Sequence, residues 1–234
     1  MKTKFITFGA GGQHYTDACN RLVEQANSTE LFDTTQMFSD VDLRSDTDFW
    51  TKHGDFITKN GRGYGYWIWK SYLIKKTMET MNDGDILLYL DCGCEIDKRN
   101  KAAISTFFEY VKTDLIIATQ TQIEKFWDKM DLVLYLDMNK PTDLDTPQQQ
   151  SGAILYYVCD KTREFVNMWY TTCCDYHMIN DTPSVAENIP GFREHRHDQS
   201  VFSLLTKKYN LFSRKCLREC LIYKRNKSGT SNLK

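Results

Sequence analysis

The stretch ILLYL at residues 86–90 constrains the fold more than any other part of this sequence. A continuous apolar run of this length is typical of a strand that is covered on both faces. The segments KFITFGAGG, DLIIATQ and SGAILYYVC have a similar character, and they alternate with segments in which apolar residues recur at helical spacing. This alternation predicts an α/β fold: one Rossmann-like domain with a mainly parallel central sheet flanked by helices.

The domain is expected to span residues 1–222, because no segment before the end of this range has the composition of a linker. Residues 223–234 are polar and basic and contain Gly and Ser. We expect them to form a flexible basic tail, which could make a peripheral contact with an anionic surface.

Composition excludes several classes of partner. The net charge is -1, so no overall positive field attracts nucleic acid. No apolar run approaches the roughly 20 residues of a membrane span, and the short apolar start MKTKFITFGAGG is interpreted as a first strand rather than a signal peptide. We therefore expect a cytoplasmic protein whose 8 cysteines are reduced thiols.

Ligands of open α/β sheets bind beyond the carboxyl ends of the strands. That rule directs attention to residues 9–15, 91–95 and 148–152. Asp91 follows the buried run directly, and Gly93 lets another group approach the backbone closely. Two interpretations of Asp91 are open at this point. It could cap a turn, or it could join Glu95 or Asp97 in holding a divalent cation and a phosphorylated ligand.

Two further segments carry chemistry. The segment RGYGYWIWK contains two cationic side chains among aromatic ones, and a helix governed by propensity alone would not begin with two glycines and three aromatics. The segment EHRHDQ is a dense cluster of titratable side chains at a predicted helix start. The glycines of TFGAGGQHY, by contrast, match neither the dinucleotide-binding fingerprint nor the phosphate-binding loop of nucleoside triphosphatases.

These segments carry a family resemblance. GDILLYLDCGCEI resembles the DxD strand of nucleotide-sugar-dependent glycosyltransferases of the GT-A fold, a family seen in bacterial polysaccharide clusters and large DNA viruses. RGYGYWIWKSYLI, QQQSGAILYY and EHRHDQSVFSLL are similar to other segments of that family and occur in the expected order. The third position of the motif is Gly93 or Cys94 here, where the family has a second aspartate.

The resemblance implies a metal-assisted transfer of a sugar from a nucleotide-diphosphate donor, expected to be UDP-linked, to a hydroxyl of a glycan, a lipid-linked sugar or a protein. It implies donor contacts by Phe8, Gly9, His14, Tyr15, Arg62, Tyr66, Lys70, Asp91, Cys92 and Gly93. It implies acceptor or sugar contacts by Gln150, Ser151 and Gly152. Mn²⁺ or Mg²⁺ would be held by Asp91, Glu95 and His197, and the catalytic base would be Asp198 or, as second choice, His197.

Two alternatives to this function stay open in the sequence. The first is a catalytically silent module that binds nucleotide sugars or glycans on the same fold, which the imperfect DxD motif favours. The second is a nucleotidyltransferase, which the sequence disfavours because GAGGQHYTDACNR lacks the close arrangement of Arg and Lys usual in such enzymes. Whether the transfer inverts or retains the anomeric configuration is not encoded in these motifs.

Overall fold

The computed structural model describes residues 1–223 and 225–233. Lys224 and Lys234, both part of the predicted tail, lie outside the described residues. The described chain contains seven strands: β1 (Thr3–Gly9), β2 (Thr34–Ser39), β3 (Ile86–Leu90), β4 (Cys94–Glu95), β5 (Ile116–Ile123), β6 (Pro147–Tyr157) and β7 (Ile222–Tyr223).

Five of these strands form the central sheet, in the order β2-β1-β3-β6-β5. Strand β1 pairs in parallel with β2 and with β3, whereas β6 is antiparallel to both β3 and β5. Four strands therefore share one direction and β6 opposes them. The predicted α/β fold is confirmed, with a sheet that is mixed because of β6. The short strands β4 and β7 form a separate antiparallel pair.

Helices cover both faces of the sheet. They are α1 (Gln13–Ser28), α2 (Asp40–Ser45), α3 (Thr47–Lys59), α4 (Gly63–Tyr66), α5 (Ile68–Glu79), α6 (Lys101–Asp114), α7 (Met130–Tyr135), α8 (Pro141–Leu144), α9 (Asp160–Cys173) and α10 (Asp198–Lys208). Among the described residues, none of these helices combines the length and the apolar character that a membrane crossing needs.

The side chains of β3 alternate between two hydrophobic cores. Leu87 and Tyr89 face the larger core, together with α5, α9 and α10, while Ile86, Leu88 and Leu90 face the smaller core, together with α1 and α6. All five residues are at most 1% exposed. This double burial is the physical reason for the uninterrupted apolar run in the sequence.

The segment before α5 is a left-handed turn. Positive φ angles occur at five consecutive residues, from Gly63 to Trp67, and the amides of Tyr66 and Trp67 donate to carbonyls four residues earlier. Left-handed helical conformation costs about 1–2 kcal/mol for each residue with a Cβ, and only Gly adopts it readily. The unusual segment RGYGYW therefore encodes this turn, and the right-handed helix begins only at Ile68.

The C-terminal segment, for which the sequence predicts a flexible tail, is attached to the domain over the described residues 225–233. The guanidinium group of Arg21, only 4% exposed, donates to the carbonyls of Asn226 and Ser228. The buried carboxylate of Glu95 accepts from the side chains of Asn226 and Ser231 and from the amide of Asn232. We call residues 225–233 the C-terminal strap.

The left-handed turn gives a matched stability test. A Cβ on Gly65, where φ is 82°, would lie 2.6 Å from Ile57 Cγ1. We expect Gly65→Ala to lower the free energy of unfolding by roughly 2–5 kcal/mol, from left-handed strain and overpacking together. Gly61→Ala is the control, because nothing lies within 4 Å of its added Cβ. Urea unfolding of both variants checks this, and equal midpoints would contradict it.

Candidate functional site

A buried lysine joins two carboxylates at the carboxyl end of β3. Lys70 Nζ lies 3.1 Å from Asp91 Oδ1, 3.4 Å from Asp198 Oδ2 and 3.2 Å from Ser151 Oγ. Ser151 Oγ donates to Asp198 Oδ2 at 2.7 Å. These four residues, which we call the charged centre, come from four separate segments of the sequence that were all predicted to carry site residues.

Each member is positioned by its secondary structure. Asp91 directly follows β3, and its amide donates to the carbonyl of Gly152 in β6 at 2.8 Å. Asp198 is the first residue of α10, where its carbonyl accepts from Trp169 Nε1 at 2.9 Å. Lys70 lies in the first turn of α5, immediately after the left-handed turn. The antiparallel pairing of β6 with β3 thus brings the predicted acceptor segment beside the predicted donor carboxylate.

Gly152 is needed for this arrangement because of space. A Cβ at this position would lie 2.9 Å from Asp91 Oδ2, so any larger residue would displace the carboxylate. The sequence interpretation gave Gly152 the role of letting a sugar approach the backbone. In the structure, the group that uses the space is the side chain of Asp91.

Burial and charge oppose one another in the charged centre. Burial lowers the pKa of Lys70, but Asp198 and Asp91 outweigh it, so this pKa lies above its ordinary value and the ammonium stays charged. Burial raises the pKa of Asp198 to about 6, although Lys70 and the hydroxyl of Ser151 act to lower it. Asp198 therefore changes charge near neutral pH.

The two carboxylates differ in access to solvent. The side chain of Asp91 is 41% exposed, whereas those of Asp198 and Lys70 are 4% and 3% exposed. Asp91 is consequently the member of the centre that a ligand can meet directly. Tyr89, which the sequence interpretation missed, donates its hydroxyl to Asp91 Oδ1 at 2.5 Å. The period of two along a strand could have indicated it, since residues 89 and 91 share one face.

A polar cleft lies beside the charged centre. Gln150 and Gln199 adjoin Ser151 and Asp198 in the chain, and both line this cleft. We call it the glutamine cleft, and its lining residues are Thr121, Gln122, Trp127, Gln148, Gln150, Arg196, Gln199 and Arg225. Of these residues only Gln150 was predicted as a ligand contact. Its Oε1 accepts from Thr119 and Arg218.

The structure gives Glu95, predicted as a metal ligand beside Asp91, a separate set of partners. The Glu95 side chain is 0% exposed and is satisfied by donors of the C-terminal strap and by Gln25. Its role is to anchor that strap. Cys92, predicted to bind the donor, is buried with Cys19 against α1 instead. Gly93 lies beneath the strap, where its carbonyl accepts from the amide of Asn226.

His197 also points away from Asp91. Its Nδ1–H donates to the carbonyl of Ile179 at 2.7 Å, and its ring stacks on Trp67 with centroids 5.3 Å apart. Burial lowers the pKa of His197, so the ring is neutral. Arg62, predicted to meet the donor, pairs with Asp181 at 3.0 Å. Tyr66 also packs against the His197 ring, with 5.1 Å between the ring centroids.

Four predicted donor residues lie on β1 and the start of α1. Phe8 is a core residue, stacked on Trp69 with ring centroids 3.9 Å apart. Gly9 packs against the backbone of Tyr15, whose hydroxyl accepts from Lys227 of the strap at 2.9 Å. His14 is exposed beside the Tyr15 ring. Among the described residues, none of these four forms a hydrogen bond or an ion pair with the charged centre.

A divalent metal was predicted on Asp91, Glu95 and His197, and these residues do not fit that role together. Their side chains have separate partners, given above, and Asp91 Oδ1 is already engaged by Lys70 and Tyr89. Within residues 1–223 and 225–233, no three or more His, Cys, Asp or Glu side chains are grouped so that they could hold a metal ion.

Comparisons with known proteins show a likeness to solved structures. No protein-family model matches this sequence, and no curated protein matches it significantly. Among solved structures, the chain is similar to the apo form of mouse xyloside xylosyltransferase 1, with a TM-score of 0.48 and 11% identity. The likeness covers 91% of this chain and 84% of that one. A likeness this distant carries no information about activity.

The buried pairing of Lys70 can be tested by stability. Lys70→Met leaves Asp198 buried without its cation, and removing one partner of a buried pair costs about 3–5 kcal/mol. The control is Lys75→Met, which removes an exposed pair with Glu79 on the same helix, worth about 0.3–0.5 kcal/mol. We expect urea unfolding at pH 7 to separate the two variants clearly. Similar losses in both would mean that Lys70 is not paired as described.

Proposed function

We propose that this protein is a glycosyltransferase that moves a sugar from a nucleotide-diphosphate donor, UDP-linked in the first instance, to a hydroxyl of a glycan-type acceptor. The observation that carries the proposal is the exposed Asp91 carboxylate at the end of β3, fixed by the buried Lys70 and facing solvent beside the glutamine cleft. This is the position in which open α/β sheets bind ligands. The order of the four motifs that resemble GT-A enzymes adds support, as an analogy.

The roles follow from burial. Asp91 is the proposed contact with the reacting sugar, since it is the exposed carboxylate of the centre. Asp198, the first choice of base in the sequence, is buried and acts on the ligand only through Lys70 and Ser151. We therefore propose Asp198 as a positioning residue that keeps the ammonium charged and the Asp91 side chain oriented. Fixed charges of this kind need no reorganisation during reaction.

The transfer itself exchanges one bond for another. The acceptor oxygen forms a bond to the anomeric carbon, and the bond from that carbon to the phosphate oxygen breaks. The electron pair leaves with the nucleoside diphosphate, and the proton of the acceptor hydroxyl passes to solvent water. What this chain contributes is orientation of the two reactants and charge around them.

A panel of sugar nucleotides tests the proposal directly. Purified protein is incubated with UDP-, GDP-, CMP- and dTDP-sugars, with and without mono- and oligosaccharide acceptors, and free nucleotide is measured. Release of nucleotide from at least one donor, accelerated by an acceptor, is the expected result. The panel is run with Mn²⁺ and with EDTA, so that metal dependence is measured rather than assumed.

The competing function is a catalytically silent module that binds nucleotide sugars. The separation of Asp91, Glu95 and His197 favours it, because the predicted metal ligands are not assembled. Saturable binding of a sugar nucleotide without turnover, across the whole panel and with acceptors present, would establish the module and reject the transferase.

Removal of the Asp91 charge should abolish turnover while leaving the fold intact. We expect Asp91→Asn to lower kcat by at least about a hundredfold, in the range of lost electrostatic contacts in active sites. Asp160→Asn is the control, since that side chain is 100% exposed and distant in the chain. Nucleotide release is the measurement, with circular dichroism to check folding. Unchanged kcat in Asp91→Asn would remove this residue from the mechanism.

The rate should fall as the pH drops through about 6. Protonation of Asp198, whose pKa burial raises to about 6, removes one of the two charges that hold Lys70. The effect on stability has the opposite sign. A carboxyl group whose pKa is higher in the folded state than in the unfolded state stabilises the fold when the pH is below the unfolded-state pKa. This contribution is lost as the pH rises through 6. A profile of kcat/KM from pH 4 to 8 checks this. A midpoint near 4 would contradict it.

A further inference from the structure

We propose that Arg225 of the C-terminal strap and Arg196, which both line the glutamine cleft, bind the diphosphate of the sugar donor. This inference rests on the proposed function and names the groups that supply positive charge there. It moves that role away from Lys70 and Arg62, to which the sequence interpretation gave it.

Lys70 cannot bind a diphosphate in addition to its present partners. An ammonium group has three donors, and those of Lys70 face Asp91, Ser151 and Asp198. Its charge is more than balanced when both carboxylates are ionised, so the charged centre alone does not attract an anion. Arg62 is likewise committed, to Asp181 and Glu194.

The glutamine cleft contains two positively charged side chains that have fewer ion-pair partners than Lys70 and Arg62. Arg196 lies flat over Trp127, 4.0 Å from the ring centroid, and pairs with Glu194 at 3.1 Å through one nitrogen. None of the ion pairs among the described residues includes Arg225. Burial lowers the pKa of Arg196, and repulsion from Arg225 and Arg62 lowers it further against the attraction of Glu194. An anion between two such cations would relieve that repulsion.

The C-terminal strap holds Arg225 beside the end of β3. A Cβ on Gly93 would lie 3.1 Å from Arg225 Cα, so the absence of a side chain at Gly93 admits the strap. The next residue, Asn226, donates its amide to the Gly93 carbonyl at 2.9 Å and is bound by Arg21 and Glu95. The backbone of Arg225 is thereby held against Gly93, which follows Asp91 by two residues in the chain.

The remaining lining of the cleft suits the same ligand. Side-chain amides of Gln150 and Gln199 can donate to phosphate or sugar oxygens, and Gln199 is oriented by its bond to Gln148 Oε1 at 2.6 Å. Guanidinium groups present paired donors that match phosphate geometry. A diphosphate in the cleft would place the attached sugar towards Asp91, the exposed carboxylate of the charged centre.

Calorimetric titration of the full chain tests this inference with three probes: inorganic pyrophosphate, UDP and uridine. We expect Arg225→Gln to weaken pyrophosphate and UDP about tenfold and to leave uridine unchanged, since one charge-assisted hydrogen bond contributes on this scale. Arg225→Lys should recover part of the loss. The control is Arg214→Gln, which removes the same charge from an exposed side chain outside the cleft.

Three results would overturn the inference: no binding of pyrophosphate or UDP to the wild type, equal binding by wild type and Arg225→Gln, or an equal loss in Arg214→Gln. The proposed function fails in a different way. If Arg225 governs pyrophosphate and UDP binding but no sugar nucleotide is turned over, the anion site stands and the transferase is rejected. If turnover occurs with an unchanged KM in Arg225→Gln, the transferase stands and this site is rejected.

Discussion

The burial of one ammonium group between two carboxylates is the interaction on which the site depends. Lys70 is 2% exposed and would be strongly destabilising without compensation. Asp198 and Asp91 supply that compensation, and each comes from a different element of the fold. The pairing therefore ties α5, the end of β3 and the start of α10 together at the edge of the sheet where the carboxyl end of β3 lies.

Two backbone features make this arrangement possible. The left-handed turn from Gly63 to Trp67 sets the direction in which α5 leaves, and so determines where Lys70 is buried. The antiparallel strand β6 brings Ser151 and Gly152 beside Asp91, where a parallel strand would present its opposite end. Both features depart from regular structure. The left-handed turn strains its non-glycine residues, and β6 interrupts an otherwise parallel sheet. Such costs are commonly found at functional sites.

Much of this architecture could be predicted from the sequence, because the relevant signals are local. The apolar composition of residues 86–90 predicts that both faces of this strand are buried, and the alternation of strands and helices predicts the α/β fold. The rule that ligands bind beyond strand ends directed attention to Asp91 and to residues 148–152, whereas Lys70 and Asp198 were implied by the family resemblance. Tyr89 was missed although its spacing from Asp91 indicated it.

The errors arose where contacts are distant in sequence. Glu95 has the same local pattern whether it holds a metal or the strap, and only the position of Asn226, 131 residues later, decides between them. The composition of the strap predicts a flexible tail, and its hydrogen bonds from Arg21 join residues more than 200 positions apart. The ring of His197 turns towards Ile179 although its neighbour Asp198 faces Lys70, a difference that no helical periodicity encodes.

The central claim is that a nucleoside diphosphate binds in the glutamine cleft, with its sugar towards the exposed carboxylate of the charged centre. A crystal structure of the protein soaked with UDP tests it most directly. The account predicts phosphate density within hydrogen-bonding distance of Arg225, with the terminal phosphate on the side nearest Asp91. UDP bound elsewhere on the molecule, or a cleft free of nucleotide at saturating UDP, would contradict it.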